Sequence, residues 1–549
     1  MSYGLIGVVA AALAAAYCVP ARIRRMLHLL QLEHYENARL FVWLRRRGEL
    51  ADRSMVVAVV LALVAIGAAA AYVPLIELLA GIGAVGALAP GFRPAPRAEI
   101  KPLVWTDRAR RLYATALALP AVVLLTGAAL TVALGADLPF AIAGALAVAA
   151  VGGGAWVLAA ANAALGPVQR RINARFERAA TDKLAAIKPL VIGITGSYGK
   201  TTTKVCIGAV LSQQLPTLIT PASFNSRLGV IRTINEQLEP PHEAFVVEMG
   251  MYRKGDITEL CELVHPQIGV LTAIGPMHLE RLGSIEAIAD AKSELPRALP
   301  AAGHLIANGD DPRVREIAAR VDVDTVLYGI DSADAHVRAE QIELADGRTG
   351  FTLVIGDDRA LVSAGLLGAH NVSNLLAAAA VGHVIGMPID AIATGLATVE
   401  PPDHRLATIP NPRAGIIVID DAYNSNPAGA AAALEVLGAH PARRRILVTP
   451  GMVELGDDEE ALNERFGRQA ADVCDHVILV GPERTKPIGR GLRAAGFDDD
   501  AITVVRDIGG ATQALAGLTR AGDVILFEND LPDMYAEDNQ PRAAAPAAA

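Results

Sequence analysis

A chain of 549 residues is long enough for three or four domains. Its formal net charge of −9, with no long basic tract carrying interleaved aromatic residues, argues against a nucleic-acid partner. The cysteines form no C-x-x-C pair, which argues against a zinc ribbon and a disulfide framework and indicates reduced residues, mostly in the core: Cys18, Cys206, Cys261 and Cys474.

The part of the chain before about residue 165 is dominated by apolar runs, at residues 3–20, 55–90, 112–134 and 139–163. Most are close to the roughly 20 residues that span a bilayer, and residues 55–90 could cross twice with a turn near Pro74. Arginine-rich segments follow the first run, precede the third and follow the last, and the positive-inside rule puts all three in the cytoplasm only if residues 55–90 cross twice. Residues 1–165 are therefore predicted to form an α-helical transmembrane bundle of about five spans in the cell membrane, with the catalytic domains cytoplasmic.

Several alternatives stay open for this region. The first run could be a signal peptide, but its charges follow the apolar stretch rather than precede it, which favours an anchor. The bundle could be a plain anchor or could serve a lipid substrate, and no charged residue in the middle of a span marks a pathway. Residues 167–187 place apolar side chains at helical spacing opposite arginines, as in an amphipathic helix at the membrane surface or a linker helix.

The segment "GITGSYGKTTTK", residues 193–204, follows a short β-branched run and precedes a helical stretch. This strand–loop–helix order is the context of a phosphate-binding loop, although a glycine-rich turn without a ligand would look similar. The glycines lie three residues apart, at Gly193, Gly196 and Gly199, and so depart from the general G-x-x-x-x-G-K-[ST] spacing. The predicted nucleotide-binding residues of the loop are Gly196, Ser197, Gly199, Lys200, Thr201 and Thr202.

This glycine spacing, followed by Lys-Thr-Thr, resembles the ATP loop of the Mur ligase family, ATP-dependent enzymes that form amide bonds in peptidoglycan synthesis. The resemblance continues in order over about 340 residues. It implies two α/β Rossmann-like domains after the membrane part: a central ATP-binding domain with the phosphate loop at residues 166–407, and a C-terminal domain at residues 408–535. Residues 536–549 are expected to be a disordered tail.

The resemblance also implies a magnesium site. "AFVVEMG", residues 244–250, is predicted to be a buried strand that ends in an acid beside the phosphate loop, where the family has a metal-binding Glu. "GPMHLERLGSIEAIADAKSEL", residues 275–295, resembles the stretch with a metal-binding His and a carbamylated Lys; taken alone, these would be read as a surface histidine and a solvated helix lysine. The implied Mg²⁺ ligands are Thr201, Glu248, His278 and carbamylated Lys292.

Three further segments resemble nucleotide contacts of the family. "LIANGDDPRV", residues 305–314, gives Asn308 near the nucleotide. "LGAHNVSNLLAAAAVG", residues 367–382, gives Asn371 and Asn374 near adenine, although both residues could also cap a helix. "DHRLATI", residues 403–409, gives Arg405, which would reach the γ-phosphate.

From about residue 410 the chain turns to a second α/β pattern, beginning with "GIIVIDDAYNSNPAGAAAAL". The resemblance places Asp421 near the ribose and Tyr423, Asn424 and Asn426 at the junction of the domains. The D-D-x-Y-N-x-N-P wording is closest to the family members that add D-alanyl-D-alanine.

The sequence departs from the family in two places. The membrane segments occupy the position of the domain that grips a uridine diphosphate, and the acidic "FENDLPDMY", residues 527–535, replaces a Lys-Gly-Ser-Arg-like segment. Both departures concern the recognition of the two substrates rather than of ATP.

The function implied is a membrane-anchored, ATP-dependent amide ligase with Lys200, Lys292, His278 and Arg405 as catalytic residues and ATP and Mg²⁺ as cofactors. A substrate carboxylate becomes an acyl phosphate, which an amine then attacks. The expected partners are the bilayer, a muropeptide or lipid-linked cell-wall precursor, and an amino acid or dipeptide such as D-alanyl-D-alanine.

Two other functions are alternatives to this one. One is an amidotransferase half that amidates a lipid-linked precursor with ammonia from a glutaminase partner, although the related proteins carry a cysteine zinc ribbon that this chain lacks. The other is an ATP-driven transporter, which the uncharged spans and the single nucleotide-binding signature disfavour.

Overall fold

The structure is a computed structural model that describes residues 19–33, 35–46, 60, 103–134, 153–277, 279–345, 347–423, 425–453 and 455–530. The chain divides into two compact units, one up to Ala174 and the other from Arg175 onward.

The described part of the first unit is helical. Residues 19–32 form a helix, and they are followed by α1 (Asn37–Arg46), α2 (Asp107–Leu134) and α3 (Gly154–Ile187). Apolar side chains of all four segments pack into one core, among them Ile23, Leu40, Leu112 and Leu158. The helix α3 is continuous to Ile187, so the predicted connector at residues 167–187 and the predicted division at residue 165 both fall within one helix.

The predicted five-span bundle has little support in the described residues. They contain one helix that is long and apolar enough to cross a bilayer, α2, with 28 residues and a mean hydropathy of 2.3 over its most apolar window. The runs at residues 3–20, 55–90 and 139–163 lie wholly or largely outside the residues that the structure describes. The number of spans therefore stays a prediction.

The second unit contains two mixed sheets with helices packed against them, which confirms the two predicted α/β domains. The first sheet has nine strands in the order β2-β3-β1-β4-β5-β6-β7-β8-β9. Its strands are β1 (Leu190–Thr195), β2 (Thr217–Ile219), β3 (Ala244–Glu248), β4 (Ile268–Leu271), β5 (His304–Asn308), β6 (Asp324–Gly329), β7 (Val337–Ala345), β8 (Arg348–Ile355) and β9 (Asp358–Ala364). The strands are parallel up to β7 and antiparallel from β7 to β9.

Both faces of the parallel part of this sheet are buried. Ile192 and Ile194 belong to a core on one face, and Val191 belongs to a core on the other. A parallel sheet covered on both sides reads as a continuous apolar run, as β1 and β3 do. The helices of this part are α4 (Lys200–Leu211), α5 (Arg227–Gln237), α6 (Asp256–Val264), α7 (Leu279–Leu282), α8 (Ile285–Lys292), α9 (Glu294–Ala298), α10 (Pro312–Ala318), α11 (Ala369–Val384) and α12 (Ile389–Ala397).

The second sheet has six strands in the order β10-β11-β15-β12-β13-β14, and only the pair β10–β11 is antiparallel. Its strands are β10 (Ala407–Asn411), β11 (Ile416–Asp421), β12 (Arg444–Thr449), β13 (His476–Val480), β14 (Ile502–Val505) and β15 (Asp523–Glu528). Its α-helices are α13 (Pro427–Ala439), α14 (Glu459–Val473), α15 (Lys486–Ala494) and α16 (Ile508–Leu518).

The cysteines within the described residues agree with the expectation from sequence. Cys206, Cys261 and Cys474 are buried and free, and Cys18 lies outside the described residues. Burial raises the pKa of the Cys261 thiol to about 12, so this sulfur behaves as an apolar core atom at neutral pH.

Candidate active site

The loop between β1 and α4 has the backbone that a phosphate-binding loop requires. Gly196 has φ 154° and Gly199 has φ 78°, values that side chains disfavour. A Cβ at Gly196 would lie 1.8 Å from Thr272 Oγ1, and one at Gly199 would lie 2.4 Å from Asn374 Oδ1. Both positions therefore need glycine for space as well as for conformation.

Gly193, the first glycine of the sequence pattern, has a packing role in β1 rather than a conformational role in the loop. Gly193 lies inside β1, where a Cβ would stand 2.9 Å from Met249 Cε and 3.0 Å from Leu295 Cδ1. It lets a helix and a neighbouring strand end pack close to the sheet. The three-residue spacing thus combines one packing glycine with two loop glycines.

Other side chains brace the loop from behind. The Ser197 hydroxyl donates to Gly275 O at 3.1 Å, and the Thr272 hydroxyl donates to Tyr198 O at 2.5 Å. Thr202, predicted to contact nucleotide, is buried on α4. These contacts hold the loop in shape before any ligand arrives.

Lys200 lies folded over the loop. Its Nζ donates to Gly196 O at 2.7 Å and to Ser197 O at 3.3 Å. Burial lowers the pKa of Lys200, an effect that Glu248 opposes and the positive charge of Arg405 reinforces. A bound polyphosphate would favour the charged ammonium, because a nearby opposite charge stabilises it.

Glu248, at the end of β3, is buried and stays ionised. The Thr201 hydroxyl and the Lys204 ammonium donate to its Oε2 at 3.0 and 3.2 Å, and Asn225 Nδ2 donates to its Oε1 at 2.9 Å. Burial acts to raise the pKa of Glu248, but Lys204, Lys200 and the hydrogen bond from Asn225 together more than offset this and hold the pKa below its ordinary value.

These residues fit a magnesium ion. Two ligands at right angles around an octahedral Mg²⁺, with bonds of about 2.0–2.1 Å, are about 3 Å apart. Thr201 Oγ1 and Glu248 Oε2 are 3.0 Å apart, and Glu248 is anionic. The predicted ligand His278 lies outside the described residues.

Lys292, the last residue of α8, is buried rather than solvated. It is 2% exposed, and burial lowers its pKa well below the ordinary value, with the charge of Lys200 adding to the effect. The reading of Lys292 as an ordinary surface lysine is therefore wrong. Only the uncharged amine of a lysine reacts with CO₂ to form a carbamate.

Asn371 and Asn374 lie at the start of α11, behind the loop. Asn371 Nδ2 donates to Leu367 O, Asn374 Nδ2 donates to Asn371 Oδ1, and the Thr203 hydroxyl donates to Asn374 Oδ1 at 3.0 Å. Both side chains are buried, and this chain of bonds ties α11 to α4. Contact with adenine stays a prediction; the observed contacts support the loop.

The end of β5 is organised by its own polar residues. Asn308 Oδ1 accepts from the Asp310 N–H at 3.0 Å, and Asp311 Oδ2 accepts from the Ile274 N–H at 2.8 Å. Both bonds shape turns at the carboxyl edge of the sheet, where ligands of such folds bind. The predicted nucleotide contact of Asn308 is not tested by these bonds.

Arg405 lies between the phosphate loop and the second sheet. Its guanidinium stands 4.4 Å from the centre of the Tyr423 ring, and its charge acts on Lys200 and on Asp421. The residues on either side of it, His404 and Leu406, have φ of 59° and 52°, a strained geometry that clusters at functional sites.

Tyr423 joins the two sheet domains, as predicted, because its hydroxyl donates to the Ser223 hydroxyl. Asn426 instead caps α13, where its Oδ1 accepts from the Gly429 N–H at 2.9 Å. Asn424 lies outside the described residues. The junction predicted from the D-D-x-Y-N-x-N-P pattern is thus present through Tyr423.

Sequence reasoning missed two groups of this site. Lys204, four residues after Lys200 and therefore one helical turn further along α4, is 1% exposed and pairs with Glu248. Glu528, at the end of β15, is buried beside Asp421, which was predicted to approach the ribose. The presence of Lys204 at the end of "GKTTTK" could have indicated a second lysine at the site.

The comparisons with known proteins agree with this geometry. A model of the Mur ligase middle domain matches residues 194–382, and a model of the Mur ligase glutamate ligase domain matches residues 404–528. UDP-N-acetylmuramoyl-tripeptide--D-alanyl-D-alanine ligase of Mycobacterium tuberculosis is 34% identical over 374 residues, covering 65% of this chain and 73% of that protein.

Two solved structures are similar. MurF from Acinetobacter baumannii is 27% identical with a TM-score of 0.59, covering 66% of this chain and 78% of that one. MurF ligase from Thermotoga maritima in complex with ADP is 25% identical with a TM-score of 0.59, covering 66% of this chain and 82% of that one. With the phosphate loop and the acid of β3 in place, the chain belongs to the Mur ligase family and is an ATP-dependent acid–amino-acid ligase.

Proposed function

We propose that this ligase joins an amine, D-alanyl-D-alanine or another short amino-acid acceptor, to a carboxylate of a peptidoglycan precursor. The observation that carries the proposal is the pairing of Thr201 with an ionised Glu248 beside Lys200, at the mouth of the phosphate loop. Support for the acceptor comes from the relative of Mycobacterium tuberculosis, whose name specifies addition of D-alanyl-D-alanine to a muramoyl tripeptide.

The chemistry divides between the two domains. Lys200 and the loop N–H groups would hold the transferring phosphate, and Arg405 would stabilise its charge from the side of the second sheet. A magnesium ion at Thr201 and Glu248 would supply further positive charge to the phosphate oxygens. The contact of Tyr423 with Ser223 would hold the domains together around the reaction and exclude water from it.

A carbamate on Lys292 is part of the proposal. Its burial and lowered pKa support it, since a charged ammonium cannot take up CO₂. Activity should fall when CO₂ is removed from the buffer and return on addition of hydrogen carbonate. A Lys292→Ala variant whose residual activity responded equally to hydrogen carbonate would contradict a carbamate at this residue.

We further propose that the chain is anchored in the cell membrane and that its precursor is lipid-linked. The support for the anchor is the second half of α2, whose apolar side chains are exposed to solvent. Leu125 and Val132 are 71% and 85% exposed. The first half of the same helix packs into the core of the first unit through Ala109, Leu112 and Ala116. A helix whose first half packs in the protein core and whose second half exposes apolar side chains is suited to entering a bilayer.

The test of the reaction is mass spectrometry of the products formed from ATP, Mg²⁺ and either a uridine-linked or a lipid-linked muropeptide. D-alanyl-D-alanine, single amino acids and ammonia are the acceptors to compare. We expect an amide product with an amino-acid or dipeptide acceptor. Product with ammonia alone would instead support the amidotransferase function, and product only from the uridine-linked precursor would exclude the lipid-linked one.

The test of the anchor compares the full chain with residues 167–549 after cell fractionation. The full chain should stay with the membranes through a high-salt wash, and the shorter one should be released while still hydrolysing ATP. A full chain that salt removes from the membranes would exclude an anchor.

A further inference from the structure

Residues of α2 and α3 line a small arginine pocket in the first unit. Arg108 and Arg111, from the first two turns of α2, form one side of it. The side chains of Asn162, Leu165 and Gln169, from α3, form the other. The pocket encloses about 10 Å³, room for about one water molecule, so a larger ligand would lie across its mouth.

Both guanidinium groups are held in place by uncharged partners. That of Arg108 stands 4.0 Å from the centre of the Tyr35 ring. Arg111 Nη2 donates to Gln169 Oε1 at 3.1 Å, and Gln169 Nε2 in turn donates to Asn173 Oδ1 at 2.7 Å. A guanidinium has five N–H donors, so each group keeps donors for a ligand while its position is fixed.

No carboxylate among the described residues of the first unit forms an ion pair with either arginine. These carboxylates pair instead with other arginines, Glu33 and Glu36 with Arg39 and Asp107 with Arg110. The charge of Arg111 acts on Arg108, so the two positive charges of the arginine pocket repel each other. A bound anion would offset this repulsion.

The arginine pocket lies at the end of α2 that would meet the membrane surface. After Arg111 the helix continues to Leu134 without a charged residue. Trp105 and Tyr113 pack edge to face at the same end, with ring centres 5.2 Å apart. Trp and Tyr are enriched at membrane–water interfaces, at the level of the lipid headgroups.

A lipid phosphate matches the chemistry of the arginine pocket. The paired N–H donors of a guanidinium bind phosphate oxygens two at a time. Leu112 and Leu165 line the same pocket, so the anion would lie beside apolar surface, as a lipid phosphate does beside its own chains. Basic pockets between membrane helices bind lipid headgroups in this way.

We propose that Arg108 and Arg111 bind the phosphate of a membrane lipid. Two sources share this chemistry, a phospholipid of the bilayer and the diphosphate of a lipid-linked precursor. With a phospholipid, the pocket fixes the depth of α2 in the membrane; with the precursor, it is the substrate site of the first unit. The inference rests on the proposed anchoring of the chain and not on which amine the ligase accepts.

Native mass spectrometry of the full chain in a non-ionic detergent measures lipid binding directly. The probes are phosphatidylglycerol, a polyprenyl diphosphate and diacylglycerol, which has no phosphate. We expect Arg108→Gln and Arg111→Gln each to weaken binding of the two phosphate lipids by about tenfold or more, because a charge-assisted hydrogen bond is lost. Binding of diacylglycerol should be the same in the variants and the wild type.

The matched control is Arg110→Gln. The Arg110 side chain is 68% exposed and pairs with Asp107, so this change removes a positive charge from the same end of α2 but leaves the pocket intact. Its loss of lipid binding should be smaller than that of either pocket variant. Equal losses in Arg110→Gln and Arg111→Gln would indicate a general effect of surface charge and would overturn the proposal. A matching loss of diacylglycerol binding would indicate a structural role and would overturn it too.

The wild-type protein supplies a second readout that depends on no variant. Its binding of the phosphate lipids should weaken as the salt concentration rises, whereas its binding of diacylglycerol should not. Phosphate-lipid binding that salt does not weaken would speak against the arginine pocket. Tighter binding of the polyprenyl diphosphate than of phosphatidylglycerol would identify the precursor as the ligand, and the reverse order would identify the bilayer lipid.

Failure of this proposal is distinct from failure of the proposed function. A full chain that a salt wash removes from membranes would overturn the anchor and this proposal together. A chain that stays in the membranes but binds the phosphate lipids no better than diacylglycerol would overturn the arginine pocket alone. Neither result bears on the amide product by which the ligase reaction is judged.

Discussion

Gly199 is constrained both by the backbone conformation of the loop and by the side chain of Asn374 that packs against it. Its φ of 78° disfavours any side chain, and Asn374 occupies the space that a Cβ would take. Gly496 has a similar φ of 81° but nothing within 4 Å of a Cβ. A side chain at Gly496 would strain only the backbone, whereas a side chain at Gly199 would strain the backbone and also collide with Asn374.

We expect Gly496→Ala to lower the free energy of unfolding by about 1–2 kcal/mol, the cost of a left-handed residue. Gly199→Ala should lower it further and also weaken ATP binding, because Asn374 or the loop must move. Chemical denaturation and nucleotide titration of both variants check this. Equal effects of the two substitutions on nucleotide affinity would contradict the assigned role of the loop.

Lys200 is the residue whose loss should be most visible in activity. We expect Lys200→Met to reduce ATP-dependent product formation by about 100-fold or more, since a charge aimed at the transferring phosphate is lost. Lys486→Met is the matched control, because Lys486 is exposed and its ammonium group forms a surface ion pair with Glu483. A Lys200→Met enzyme with full activity would refute the site.

At the scale of elements, the pair of Lys204 and Glu248 fastens α4 to β3. Both side chains are about 1% exposed, and their N···O distance is 3.2 Å. Removing one partner of a buried pair leaves an uncompensated charge. This pair holds the predicted magnesium ligand in its ionised form.

Lys204→Met should therefore lower the free energy of unfolding by about 3–5 kcal/mol. The exposed pair of Arg232 and Glu236 is the control, and Arg232→Met should lower it by less than about 1 kcal/mol. Thermal and urea unfolding give both values. Similar losses in the two variants would contradict the importance assigned to burial.

The same pair predicts an acid dependence of stability. The folded-state pKa of Glu248 is below its ordinary value, so its ionised form contributes stability that is complete above that ordinary pKa. This contribution is lost as the pH falls from there through the lowered pKa. In Lys204→Met the main cause of the lowering is absent, so the loss of stability below the ordinary pKa of Glu248 should be smaller than in the wild type.

At the scale of the whole molecule, the second unit works through the contact between its two sheet domains. Tyr423 both covers Arg405 and donates to Ser223. Tyr423→Phe keeps the ring over Arg405 and removes only the hydrogen bond. Loss of about 1 kcal/mol for one hydrogen bond corresponds to roughly a fivefold fall in kcat/KM for ATP.

Ser223→Ala removes the same hydrogen bond from the other domain. We expect the double variant Ser223→Ala, Tyr423→Phe to be no worse than either single one, because both changes remove one shared interaction. Steady-state kinetics of the four proteins measure this coupling. Additive losses would show that the two hydroxyls act separately.

The strands β1, β3 and β11 and the loop before α4 could be predicted from the sequence. Their signals are local: β-branched runs, the glycine–lysine spacing, and an acid at a strand end. The membrane part was predicted from hydropathy and arginine placement alone, and of those spans the described residues contain α2. Local patterns show how long an apolar segment is, but not what its side chains pack against.

The sequence by itself determined the order of the elements, the phosphate loop and the family to which the loop belongs, since each depends on residues close together in the chain. Only the tertiary structure decided the partners of the buried polar groups. Thr203 and Asn374 are 171 residues apart, and Ser425 and Glu528 are 103 apart, yet each pair is hydrogen-bonded. Helix packing, strand order and strand register bring such residues together, and the periodicity of the sequence does not show these contacts. The acid pair of Asp421 and Glu528 exists because β11 and β15 are neighbours in the sheet.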